Sequence, residues 1–108
     1  MEAPQEIDVG TAARLLQSPD KVVLLDVREP HERAICHVEG SIHIPMDQVP
    51  ARLCEVPAYC PILVLCHHGG RSLRVTQFLR ANNYRQATNV AGGIDAWAAT
   101  VSPAMPRY

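Results

Sequence analysis

The chain has 108 residues, an apolar fraction of 47% and a formal net charge of −1. That length predicts one compact domain with a real hydrophobic core, and that composition excludes a disordered chain. The near-neutral balance excludes partners selected by bulk charge, so neither nucleic acid nor membrane is an expected partner, and no apolar run approaches the roughly 18 residues of a membrane span.

The polar start, Met1 to Glu6, lacks the basic stretch and apolar block of a secretion signal. A cytoplasmic protein in a reducing compartment is the expectation. Its four cysteines, Cys36, Cys54, Cys60 and Cys66, form no C-x-x-C motif. Cys36, Cys54 and Cys60 each read as a small buried hydrophobe.

In chain order, a short apolar start at Ile7 and Val9 leads into a helix over Thr11 to Leu16, closed by a turn at Ser18-Pro19-Asp20. Val22 to Leu25 is a continuous apolar run, the pattern of a strand buried on both faces. It ends in Asp26-Val27-Arg28-Glu29-Pro30. A short helix is expected behind Pro30, over His31 to Ile35. Ser41 to Ile44 reads as a short strand ended by Pro45, and 47–53 as a helix with Asp47 near its N-cap. Ile62 to Leu65 is the second buried strand, and Arg71 to Asn82 the clearest helix. Ala87 to Val90 reads as a short strand, and Gly92-Gly93 opens a last helix over Ile94 to Ala99 with Trp97 turned inward. The tail, Val101 to Tyr108, carries Pro103 and Pro106 and reads as irregular. Strands alternating with helices imply an α/β domain with a mostly parallel sheet, whose ligands bind beyond the carboxyl ends of the strands.

Two strands end in reactive chemistry on that edge, one in Asp26-Val27-Arg28 and the other in Cys66-His67-His68-Gly69-Gly70-Arg71-Ser72. In the second, a loop opens into a helix whose first N–H groups have no internal partner and point back at the loop. Gly69 and Gly70 can take backbone conformations closed to other residues, which lets amides converge into an anion nest. Arg71 adds a permanent charge. Such a setting favours the thiolate of Cys66, the nucleophilic form, without a general base. Ser72 is placed either to bond the sulfur or to cap the helix. His67 and His68 are candidates to steer an anionic substrate, against a plain solvated pair. Asp26 and Arg28 either orient the loop from behind or pair with each other.

These residues resemble the single-domain rhodaneses, sulfurtransferases that act on thiosulfate or persulfides. Four segments carry the resemblance in the right order: Leu25-Asp26-Val27-Arg28-Glu29-Pro30, the stretch from Cys36 to Pro45, the loop of Cys66, Gly69, Arg71 and Ser72, and Val90-Ala91-Gly92-Gly93-Ile94-Asp95-Ala96-Trp97. The resemblance implies a three-layer domain over residues 1–100, with a central, mostly parallel five-stranded sheet flanked by helices, and 101–108 as a tail. It implies catalysis by Cys66 through a persulfide, with His67 to Ser72 as the anion-binding loop and neither metal nor cofactor. The implied partners are a small sulfur donor, thiosulfate or a low-molecular-weight persulfide, and a thiol or cyanide acceptor, with a protein thiol as a further possibility. Two departures stand out. Cys36 falls where many relatives carry glycine, and His67 and His68 follow the cysteine where many place a cation.

Other readings use the same residues. Cysteine phosphatases and arsenate reductases are one rival, but phosphatases of this kind separate cysteine and arginine by five residues. Here four residues, His67 to Gly70, intervene, which makes a smaller cradle suited to a sulfur atom. A metal site of Cys60, Cys66, His67 and His68 would need cysteines from opposite ends of one strand. A regulatory module that senses persulfide or oxidation at Cys66 is the non-enzymatic rival.

Overall fold

The computed structural model describes residues 4–108. Five strands build one sheet in the order β1-β5-β4-β2-β3: β1 (Glu6–Ile7), β2 (Val23–Asp26), β3 (Ile42–His43), β4 (Ile62–Leu65) and β5 (Ala87–Val90). Every pairing is parallel, and the central β4 aligns Leu65 with Asp26 of β2 and Val64 with Asn89 of β5. The apolar runs therefore lie in the middle of the sheet, where all four residues of β4 are buried.

The period of two along each strand sends neighbouring side chains to opposite layers. Leu24, Leu63, Leu65 and Val90 pack with Val9, Ala12, Ile94 and Trp97, from helices α1 (Val9–Gln17) and α4 (Gly93–Thr100). Leu25, Ile62, Val64 and Ala87 pack with Val75 and Leu79 of α3 (Gly70–Ala81) and with Val49 and Val56. α2 (Pro30–Ile35) follows β2 and begins one residue before the expected His31, with Pro30 itself as its first residue. The result is the three-layer α/β arrangement that the resemblance implies.

Local signals explain the helix starts. Asp8 is the N-cap of α1 and its Oδ1 accepts from Thr11 N–H at 2.8 Å, so the helix begins at Val9, earlier than the sequence suggests. Its carboxyl is held below the ordinary value by that bond. α3 ends at Asn82 with Asn83 left-handed at φ 73°.

Two expectations fail. The helix over 47–53 is replaced by two separate 3₁₀ turns, Met46–Gln48 and Leu53–Glu55. Pro50 lacks an amide and crowds the preceding turn, so no helical ladder runs through it. Pro45, not Asp47, occupies the cap position of the first turn. Cys54 is exposed on the second turn and is no core residue, whereas Cys36 and Cys60 are buried. The tail over 101–108 carries no helix or strand. Among the described residues, no helix is long and apolar enough to cross a membrane.

Candidate active site

Cys66 follows the last residue of β4 and lies at the carboxyl edge of the sheet, against the start of α3. Its Sγ receives the Gly69 N–H at 3.1 Å and lies 3.2 Å from Ser72 Oγ. Ser72 therefore faces the sulfur; the N-cap of α3 is Gly69, and no side chain caps that helix. Gly69 has φ +110°, which a side chain would strain, and packs against the Gly92 backbone. Gly70 is different: it is the first residue of α3, has no positive φ, and has open space where a Cβ would go. Of the two loop glycines, only Gly69 needs to be glycine for its backbone shape.

A second helix holds the loop from behind. Ile94 N–H donates to the Cys66 carbonyl at 2.8 Å and Asp95 N–H to the His67 carbonyl at 3.0 Å. These are free donors of the first turn of α4, so that helix start binds the loop backbone. A Cβ on Gly93 would fall 2.4 Å from His67 O and 2.5 Å from Cys66 O. Gly92-Gly93 thus allows a close approach of two backbones.

Arg71 reaches across to α2. Its Nη1 and Nη2 donate to the two carboxylate oxygens of Glu32 at 2.6 and 2.8 Å. An arginine at the positive end of a helix calls for an anion, and the chain supplies one. The Arg71 pair holds the buried Glu32 carboxyl far below the ordinary carboxylate range, and Glu32 in turn raises Arg71. Glu32 Oε2 also accepts from the Tyr108 hydroxyl at 2.7 Å. Burial and the bond to Glu32 push the Tyr108 hydroxyl up to about 12, although its bond to Arg28 works the other way.

Asp26 and Arg28 pair with each other. Both are fully buried, and Arg28 Nη2 meets Asp26 Oδ2 at 2.8 Å. Burial opposes the Arg28 charge, and the bonds to Asp26 and Tyr108 more than offset it, raising Arg28 above its ordinary value. Arg28 also bonds the Glu32 carbonyl, the Cys36 carbonyl and the Tyr108 hydroxyl. The pair supports the wall of the site and does not touch the sulfur by any hydrogen bond of its own.

The histidines stack. The His67 ring lies between those of His68 and Tyr108, each centroid 3.9 Å away. His67 Nε2 is buried with no hydrogen-bond partner among the described residues. His68 is exposed, with Nε2 3.9 Å from Asp95 Oδ2. Among the described residues, His67, His68 and Asp95 form a group whose ligand atoms come near enough to hold an ion, all within 4.8 Å of one another. Asp95 is, however, already engaged by Arg107. Cys60 and Cys66 lie at opposite ends of β4, so the four-residue metal set is not assembled. A separate depression of about 210 Å³ lies between Cys60 and the Asn83–Ala87 segment, away from the Cys66 loop.

Three residues of this site went unread in the sequence. Glu32 gave only a helix-start signal: it sits at the third position of α2, where its Oε1 accepts the Glu29 N–H. Asn89 is a polar residue in a strand whose four positions are all buried, a pattern that should draw attention. Tyr108, at the far end of an irregular tail, gave no signal.

A rhodanese-like domain matches residues 8–100. The thiosulfate sulfurtransferase GlpE of Tolumonas auensis is 34% identical over 91 residues, covering 84% of this chain and 85% of that protein. A sulfurtransferase of Allochromatium vinosum is 32% identical over 93 residues, covering 86% and 87%. Among solved structures, a rhodanese-like domain protein of Staphylococcus aureus superposes with a TM-score of 0.81 at 31% identity, covering 87% of this chain and 91% of that one. The chain belongs to the rhodanese-like family.

Proposed function

We propose that this chain is a sulfurtransferase that moves a sulfane sulfur from thiosulfate or a small persulfide to a nucleophilic acceptor through a persulfide on Cys66. The observation that carries the reading is the setting of Cys66 Sγ. It sits at the end of the central strand with the Gly69 amide and Ser72 hydroxyl converging on it. In the first step, Cys66 thiolate attacks the terminal sulfur of the donor. A new S–S bond forms, and the rest of the donor leaves with the electron pair of the broken bond, as sulfite when the donor is thiosulfate. In the second step, cyanide or a thiolate attacks the outer sulfur, and the electron pair returns to Sγ. This is covalent catalysis with ping-pong kinetics.

Burial shapes the substrate class. Cys66 is only 1% exposed, so a donor must present its sulfur at a free end. Thiosulfate and hydropersulfides do so, and a sulfur flanked by two carbons does not. Once loaded, the outer sulfur stands about 2 Å further out than Sγ, which brings it within reach of a bulkier acceptor. Arg71 enters this chemistry already paired with Glu32, so it buttresses the loop and shares its charge with any arriving anion. The relatives named thiosulfate sulfurtransferase and sulfurtransferase support the reading. Unpaired cysteines suit a reducing cytoplasm.

Mass spectrometry of the protein after thiosulfate treatment tests this. The expected result is one added sulfur on Cys66, removed by cyanide with release of thiocyanate, and abolished in Cys66→Ser. A persulfide that forms and never discharges would turn the reading toward a sensor. Aryl phosphate turnover that depends on Cys66 would overturn it in favour of a phosphatase.

A further inference from the structure

The buried polar atoms behind Cys66 form a chain whose protons can be counted. Asn89 is fully buried on β5. Its Nδ2 group donates to Glu6 Oε2 at 2.8 Å and to the Gly69 carbonyl at 3.2 Å. Both partners are acceptors only, and an amide NH₂ has two protons for them. The amide orientation is thereby fixed, and Oδ1 must face the other way, toward Ser72 Oγ at 2.5 Å. Ser72 has one proton and two acceptors near it, Asn89 Oδ1 and Cys66 Sγ.

The geometry points to Asn89 as a positioning residue for sulfur transfer, one that competes with Cys66 for the single hydroxyl proton of Ser72. The inference rests on Cys66 being the nucleophile. When Sγ carries a hydrogen or a second sulfur it is uncharged, and the Ser72 proton lies on Asn89 Oδ1, the stronger acceptor. When Sγ carries a full negative charge, before attack on the donor and after the acceptor has taken the sulfur, the hydroxyl rotates to Sγ. The Gly69 amide cannot make this change; its N–H is fixed by the backbone. Ser72 is thus a two-position donor, and Asn89 is its alternative partner. Asn89 holds the proton back from the uncharged sulfur and opposes its delivery to the charged one.

The test reads Cys66 reactivity at about neutral pH by two measures: the rate of alkylation by iodoacetamide, scored on the Cys66 peptide, and the single-turnover rate of persulfide discharge to cyanide. Ser72→Ala is expected to slow both about three- to tenfold, the worth of one hydrogen bond. Asn89→Ala is expected to speed both about two- to fivefold, because the Ser72 proton then has only Sγ to serve. In the Ser72→Ala background, Asn89→Ala is expected to change neither rate, the signature of a residue that acts only through Ser72. Because Asn89→Ala can fail to fold, Glu6→Ala supplies the second arm. Glu6 is exposed, and without its carboxylate the Asn89 NH₂ group keeps only the Gly69 carbonyl as acceptor, so the orientation of Oδ1 toward Ser72 is less firmly held. A smaller acceleration is expected, again absent in the Ser72→Ala background; an effect of the lost charge alone would persist there. Slowing by Asn89→Ala in both backgrounds, or unchanged rates for both Asn89→Ala and Glu6→Ala with Ser72 present, overturns the inference. The alkylation arm does not depend on sulfur transfer, so it stands apart from the fate of the persulfide reading. Sulfur transfer retained by Cys66→Ser sinks that reading and the role of Asn89 in transfer, while the alkylation rates still decide whether Asn89 competes with Cys66 for the Ser72 proton.

Discussion

Arg28 uses all five of its N–H groups inside the protein. Nε and one Nη2 hydrogen go to Asp26, the other Nη2 hydrogen to the Cys36 carbonyl, and the two on Nη1 to the Glu32 carbonyl and the Tyr108 hydroxyl. A buried charge is tolerable only with such full satisfaction. The neighbouring pair, Glu32 with Arg71, has a consequence in acid. Glu32 is held well below the ordinary carboxylate value of about 4.3 by Arg71, so the unfolded chain takes up a proton first as pH falls. The stability that the pair contributes is fully present above that value and is lost as pH falls from there toward the folded-state value. Wild type should therefore melt above Glu32→Gln near neutral pH, and the gap between the two melting temperatures should shrink steadily from about pH 4.3 downward. A gap constant across that range in thermal melts would show that Glu32 does not stabilise through its charge.

Helix α4 fixes the loop through its first turn, and the two glycine positions on either side of that contact separate structural need from permissiveness. Gly93→Ala places a methyl against the Cys66 and His67 carbonyls, which are backbone and cannot swing aside. It should cost about 2–4 kcal/mol in urea unfolding and lower sulfur transfer by at least about tenfold. Gly70→Ala meets open space at the first residue of α3, and should hold or raise stability by about 0.5–1 kcal/mol. Equal losses for the two would mean that the loop is not clamped by α4. The sequence shows some elements well: β2 and β4 are legible from their apolar runs and α3 from helical spacing alone. It misleads over 47–53, where a helical composition surrounds Pro50. The cysteine loop is legible because its chemistry is contiguous. Glu32 is not, because its partner Arg71 lies 39 residues away and nothing local announces the pairing.

Across the whole molecule, the tail closes the site. Tyr108 lies 76 residues from Glu32 and 80 from Arg28, yet its hydroxyl bridges the two and its ring covers His67. Arg107 adds a bidentate contact to Asp95 at the start of α4. An irregular segment with two prolines carries no periodicity that could foretell this docking; it is decided by side chains meeting in three dimensions. Tyr108→Phe keeps the stack and removes the bridge. Tyr108 is partly exposed, so the expected cost is about 1 kcal/mol, read as a fall of about 4–8 °C in melting temperature. No change in melting temperature would show that the tail rests on the site without holding it.

The Gly69 N–H that points at Cys66 Sγ carries one more consequence. Under the proposed mechanism, its proton shares a hydrogen bond with the atom whose charge rises and falls through the reaction. In a magnetic-resonance spectrum that amide is an internal electrode: its resonance frequency follows the electron density on the sulfur. The occupancy of the cysteine, empty or sulfur-laden, can be followed there without a label, a chromophore or a coupled assay.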